Sequence, residues 1–128
     1  MRSAFALAAL LATLVLPVGT CGAATPPLLQ QAFHRAVAAG GPVIIQFRAD
    51  WCPTCQAQAR IVTELLADPK RRNVTFFAAD FDKETALKRQ LRVTQQSTFV
   101  VYKDGEEVAR STGQTQADAI AATFDKAL

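Results

Sequence analysis

A nearly continuous apolar run, Val43 to Phe47 with only Gln46 polar, leads into Trp51-Cys52-Pro53-Thr54-Cys55, and a helical pattern starts at Pro53. A run of that length between turn residues predicts a strand covered on both faces. The helical pattern continues through Ala57, Ile61, Val62, Leu65 and Leu66. Asp68-Pro69 closes it, because proline cannot continue a helix and disfavours helix in the residue before it. Two cysteines are thereby set where a buried strand gives way to a helix. A strand apolar on both faces needs a layer on each side, which already excludes a two-layer fold.

The remaining pattern supplies those layers. Leu28, Leu29, Ala32, Phe33, Ala36 and Val37 recur at helical spacing until Gly40-Gly41-Pro42 stops them. Val74 to Phe81 is a second strand, and Asp82 is placed to cap a short helix reaching about Leu91. Thr98 to Tyr102 and Glu107 to Ser111 flank Lys103-Asp104-Gly105-Glu106, whose Asp-Gly pair predicts a hairpin. Thr115 with Asp118 resembles a capping box for a last helix carrying Ala119, Ile120, Ala122, Phe124 and Ala127. The order is helix, strand, helix, strand, helix, hairpin, helix. Strands separated by helices become parallel neighbours through right-handed crossovers, and the hairpin adds antiparallel edges. The expected class is α/β, a mixed central sheet with helices on both faces, in one domain spanning residues 25–128.

Residues 1–24 read differently. Seventeen apolar residues fall in these 24 positions, behind the positive start Met1-Arg2 and ahead of the small residues Gly22-Ala23-Ala24. This predicts a secretory signal peptide. The apolar stretch from Ala4 to Val18 is broken by Pro17 and falls short of the roughly 20 residues that span a bilayer. Cleavage after Ala24 or Ala23 removes Cys21; the alternative is that Val18-Gly19-Thr20-Cys21 serves as a lipobox and Cys21 becomes a lipid anchor, although Thr20 fits poorly. The mature chain then works in an oxidising, periplasmic space. Its 14 basic and 11 acidic residues, less Arg2, leave +2. The basic residues are scattered, with Lys70-Arg71-Arg72 the only run of three, so no nucleic-acid partner is expected.

The cysteine spacing specifies a chemistry. A first sulfur at a helix start lies near free N–H groups and the positive end of the helix dipole, which favours its thiolate. In such a place a thiol of pKa near ~8.5 falls to roughly 3.5–7.5. Cys52 is therefore the expected nucleophile and Cys55, one turn on, its resolving partner. Pro53 suits the first helical turn. Thr54 is either a helix-start residue or a hydroxyl for a sulfur. Three other uses compete with this one. A structural disulfide closing a four-residue loop adds little stability. Zinc lacks a full ligand set, since His34 alone joins the pair and reads as a surface or half-buried helix residue. Monovalent copper on two thiolates stays the alternative, a metal-binding module built on the same pair.

Phe47, Ala49-Asp50-Trp51-Cys52, Cys55, Asp82, Phe99, Lys103, Gly105-Glu106 and Gly113 fall in the order and near spacing of the thioredoxin family, which residues 25–128 resemble along essentially their whole length. The resemblance implies a three-layer thioredoxin-like sandwich and thiol-disulfide exchange with protein substrates through a mixed disulfide on Cys52. It implies no cofactor and a monomer, with Trp51, Pro53, Thr54, Gln96 and Ser97 at the surface where substrate docks. Trp-Cys-Pro-Thr-Cys also resembles the exported relatives that reduce apocytochrome c. Thr54 stands where strongly oxidising members carry histidine, so the couple is expected to be reducing and recharged by a membrane electron donor.

Departures from the family pattern qualify this. Ser97 stands at the family's cis-proline position. A cis bond before a non-proline residue costs about 2.5–4 kcal/mol, so Gln96-Ser97 is expected to be trans. Ser97→Pro is expected to alter partner or metal handling more than the reactivity of Cys52. Gln46 and Ala78 replace a buried aspartate and its neighbouring lysine, and glutamine cannot take the proton of Cys55. Arg48, where an aromatic is common, is either a solvated strand-end charge or a further thiolate stabiliser.

Overall fold

Strand β1, Val43–Arg48, is buried at every position except its last residue, as the apolar run predicted. The computed structural model describes residues 27–128, and the leader expected over 1–24, with Cys21, lies outside them. β1 pairs in parallel with β2, Thr75–Asp80, and antiparallel with β3, Thr98–Lys103, which in turn pairs antiparallel with β4, Glu106–Thr112. The order across the sheet is β2-β1-β3-β4. β1 and β3 are therefore both interior. The hairpin was expected to add edges, yet only β4 is one, because Phe99, Val100 and Val101 are fully buried and need cover on both faces.

Alternation along the strands divides the core into two layers. Val43, Ile45, Phe47, Val100 and Tyr102 face helix α1, Leu28–Ala38, through Phe33, and helix α3, Thr85–Leu91, through Leu87. Ile44, Phe99 and Val101 face helix α2, Pro53–Ala67, through Val62, and helix α4, Ala117–Asp125, through Ile120 and Phe124. Each such side chain contributes about 1.5–3 kcal/mol on burial, far more than any surface pair, so the alternation fixes the register. The result is the expected three-layer α/β sandwich. No helix among the described residues is long and apolar enough to cross a membrane.

The hairpin turn follows its sequence closely. Asp104 and Gly105 have φ of 52° and 81°, the paired left-handed geometry that Asp-Gly favours. The expected caps do not form. Asp82 does not cap α3, whose N-cap is Glu84 without a side-chain bond, because Asp80 Oδ1 accepts from the N–H groups of Asp82 and Lys83 and turns the chain first. Thr115 and Asp118 do not box α4 either. Gln114 Oε1 takes the N–H groups of Thr115 and Gln116, and Gln116 becomes the N-cap.

A polar clamp joins the far ends of α2 and α4. After Asp68 the chain makes one 3-10 turn, Pro69–Arg71, which buries the Arg71 guanidinium. Arg71 donates to Asp125 Oδ1 over 2.9 and 2.7 Å and to the Leu65 carbonyl over 3.1 Å, while Lys70 Nζ donates to Asp125 Oδ2 over 2.9 Å. The bond from Lys70, then those from Arg71, hold the Asp125 carboxyl below its usual range despite partial burial. Folding lowers this pKa, so the stabilisation is present above the unfolded value of about 3.9 and is lost as pH falls through the folded one. Asp125→Asn should therefore be less stable than the parent near neutrality, and the two should converge as the pH falls below about 4. Urea midpoints across that range check this; a constant difference would show that Asp125 does not titrate with folding.

Candidate active site

β1 delivers the chain to Ala49, and Cys52 then sits at the N-cap of α2 with φ −91° and ψ 109°. Its N–H donates to the Ala49 carbonyl over 3.2 Å, and its carbonyl accepts the Gln56 N–H, so the residue is fixed from both sides. Cys52 Sγ accepts the Cys55 N–H over 3.1 Å. A sulfur thus takes the place of the usual capping oxygen, satisfying one of the donors a helix start leaves free. Pro53 occupies the first turn, where no N–H is missed. Both cysteines are buried, packed against Ala49 and bordered by Phe81, and they stand as the dithiol.

The two sulfurs have unequal surroundings. Burial pushes the Cys52 thiol up, yet hydrogen bonds from the Cys55 thiol and N–H, the Ser97 hydroxyl and the Thr54 N–H together outweigh it and bring Cys52 below its ordinary value. Cys55 goes the other way. Its burial, then its hydrogen bond with Cys52 and repulsion from a Cys52 thiolate, outweigh the N–H groups of Ala49 and Ser97 and hold it protonated. The site is one poised thiolate beside one retained thiol.

The other predicted residues take definite places. Trp51 is 58% exposed beside Cys52, and its indole N–H donates to Asp82 Oδ2 over 2.7 Å, which explains what Asp82 does instead of capping. Thr54 acts through its N–H, so its role is that of a helix-start residue. Gln96 is half-buried, and Ser97 is buried beneath the sulfurs. No peptide bond among the described residues is cis, as expected for Gln96-Ser97, but Ser97 adopts φ 56°, which nothing in its sequence context announces. Its hydroxyl donates to the Gln96 carbonyl over 2.6 Å and is among the groups that lower Cys52. Arg48 turns to Asp50 over 3.4 Å at the strand end, the arrangement of a solvated strand-end charge. His34 lies on α1, bonded to Gln90 at 3.1 Å, remote from this chemistry.

One residue that the sequence did not single out, Gln58, completes the site. Where a buried acid was absent, Gln46 Nε2 donates to Gln58 Oε1 over 2.9 Å, both side chains being buried. Gln58 Nε2 in turn donates to the carbonyls of Gln114, over 2.8 Å, and Ser97, over 3.3 Å. The signal for Gln58 was its position: three residues after Cys55 and four before Val62, it lies on the inward stripe of α2. Among the described residues no cluster of three or more His, Cys, Asp or Glu could hold a metal.

A buried, unequal dithiol at the first turn of the helix that follows an interior strand defines a protein built for disulfide exchange. The chain belongs to the thioredoxin family of thiol-disulfide oxidoreductases, whose family model, Thioredoxin, matches residues 24–126. It is 36% identical over 77 residues to thioredoxin Asp f 28 of Aspergillus fumigatus, covering 60% of this chain and 69% of that one. It is 31% identical over 97 residues to a thioredoxin of Chlamydia trachomatis, covering 76% and 92%. Among solved structures it is similar to Trxlp from Edwardsiella tarda, with 42% identity, a TM-score of 0.71, and coverage of 73% and 91%.

The inequality of the sulfurs is directly measurable. With the Cys52 pKa lowered and the Cys55 pKa raised, a small alkylating agent near neutral pH should modify Cys52 first, with a midpoint below the ~8.5 of a free thiol. Peptide mapping of partly alkylated protein reads the order, and equal labelling would refute the assignment.

Proposed function

We propose that the protein is an exported reductase of protein disulfides that works through Cys52 and Cys55. The observation that carries the reading is the 3.1 Å bond from the Cys55 N–H to Cys52 Sγ at the α2 start, which favours a thiolate on one sulfur only. The Cys52 thiolate attacks a substrate disulfide, forming a mixed disulfide and expelling one substrate sulfur, which takes up a proton. Cys55 then gives its proton to water or to the second substrate sulfur as it leaves, and attacks Cys52 Sγ. The Cys52–Cys55 disulfide forms, the second substrate sulfur leaves, and two electrons have passed to the substrate. Exposed Trp51 beside the nucleophile, with Pro53, Thr54 and Gln96, offers the surface for an extended segment of the partner, and Ser97 lies buried behind it.

The direction follows from what stabilises Cys52. Its donors are a thiol, a hydroxyl and N–H groups, with no cation among them. Strongly oxidising couples owe their potential to a strongly stabilised reduced form, and neutral donors give less of that than a charged one. A reducing couple in an oxidising space must be recharged, which calls for a membrane-spanning electron donor. The apolar leader with its Arg2 start supports export, and a mature protein whose mass retains Met1 would overturn that part.

Cys55→Ser should accumulate a mixed disulfide with partner proteins, and Cys52→Ser should lose exchange entirely. Equilibration with glutathione, read through the fluorescence of Trp51, should place the parent couple below roughly −210 mV. Exchange persisting in Cys52→Ser would end the mechanism, and a potential near about −120 mV would end the reductase reading.

A further inference from the structure

Gln58 stands three residues after Cys55 on α2, one turn along and on the same inward face, so what its side chain holds is held beside the dithiol. Its Nε2 donates to the Ser97 carbonyl over 3.3 Å and to the Gln114 carbonyl over 2.8 Å. Its Oε1 accepts Gln46 Nε2 over 2.9 Å, which fixes the end of the amide that faces the loops. Gln58 is fully buried, so water does not compete for these bonds. The segment it holds would not keep its shape alone. Ser97 has φ 56°, in the left-handed region that serine seldom adopts, and such a backbone persists where neighbours over-determine it. The hydroxyls of Ser97 and Thr98 donate to the carbonyls of Gln96 and Gln95 over 2.6 and 2.8 Å, which shapes the segment locally. The Gly113 N–H, donating to the Ser97 carbonyl over 3.0 Å, ties it to the end of β4, and the bond from Gln58 ties it to the dithiol helix. Gln95 is exposed and Gln96 half-buried, so the held segment has an open side.

We infer that the Gln46–Gln58 pair determines specificity for disulfides carried on a polypeptide: it holds the Gln95–Ser97 segment in a fixed place beside the dithiol, where the chain flanking a partner's cysteine lies along it. Gln58 is the positioning residue and Gln46 its anchor, and both act through the segment rather than on the sulfurs. A loose segment would bind the partner's chain poorly or at the wrong distance from the nucleophile, and small misplacements are costly in such reactions. A small disulfide has no chain to lay there and needs the nucleophile alone. The inference rests on the disulfide-exchange reading above and adds what separates a polypeptide partner from a small disulfide.

Gln58→Met alone would strand the Gln46 amide in the core and cost stability whatever its role. The informative variant combines Gln46→Leu with Gln58→Met, because removing both partners leaves neither amide unpaired and can be nearly neutral. Turnover of the full chain is measured on insulin disulfides and on glutathione disulfide, with dithiothreitol recharging the dithiol. The double variant should lose about tenfold in kcat/KM on insulin, chiefly through a higher KM, and no more than about twofold on glutathione disulfide. The Gly113 amide, bonded to the Ser97 carbonyl, should also exchange its hydrogen faster. Gln46→Leu alone keeps both donors of Gln58 and loosens its anchor; it should show a smaller loss of the same kind, and it decides the matter if the double variant does not fold. Equal losses on the two disulfides overturn the inference, since the pair would then support the dithiol itself. An unmoved KM on insulin or an unmoved Gly113 exchange rate overturns it too. A parent that reduces glutathione disulfide but not insulin ends the specificity role and leaves exchange standing; a parent that reduces neither ends the exchange reading and this inference with it.

Discussion

The bond from the Cys55 N–H to Cys52 Sγ is both a helix cap and the first support of a nucleophile. A helix must satisfy its free N–H groups, and this one does so with the sulfur that is to react. Stability of the α2 start and ionisation of Cys52 are therefore coupled, since charging the sulfur strengthens the cap. The rest of the fold serves to hold that junction still. β1 is gripped by a parallel and an antiparallel neighbour, α2 is seated by Val62 against Ile44, Phe99 and Val101, and the Arg71–Asp125 clamp ties its other end to α4.

A second set of contacts joins the central strand, α2 and the loops. From Gln46 on the central strand, through Gln58 on α2, hydrogen bonds reach the Ser97 and Gln114 carbonyls in two separate loops. A buried amide left unpartnered costs about 1–3 kcal/mol, so the two glutamines require each other and the loops require both. The sulfurs are thus framed by α2 on one side and by the Ser97 loop on the other. Trp51 is the one large apolar side chain at this end that stays open to a partner, and its tie to Asp82 sets its orientation.

Much of this was legible in the chain, and the boundary has a physical cause. Burial drives the periodicities, so β1, α1, α2 and the hairpin fell where the apolar spacing put them, and the Asp-Gly turn carried its own backbone preference. The trans bond before Ser97 followed from the cost of the cis form. The caps were misread because Asp82 and Asp80, or Thr115 and Gln114, compete for the same N–H groups, and distant partners such as Trp51 decide the outcome. Gln58 was missed for a related reason. A single polar residue on an apolar helix stripe looks like a defect until the residue opposite, Gln46, is known to face it. The left-handed backbone of Ser97 belongs wholly to tertiary structure, since no local preference of serine asks for it.

The Gln46–Gln58 pair has one more consequence. Amides neither gain nor lose protons under any condition in which the protein is folded, so the scaffold beneath the dithiol carries no charge that could change with acidity. A carboxylic acid in that place would move with the pH of its surroundings and would carry the sulfurs with it. Here the foundation is indifferent. A change of acidity therefore reaches the dithiol through the sulfurs and the groups around them, and not through the paired amides.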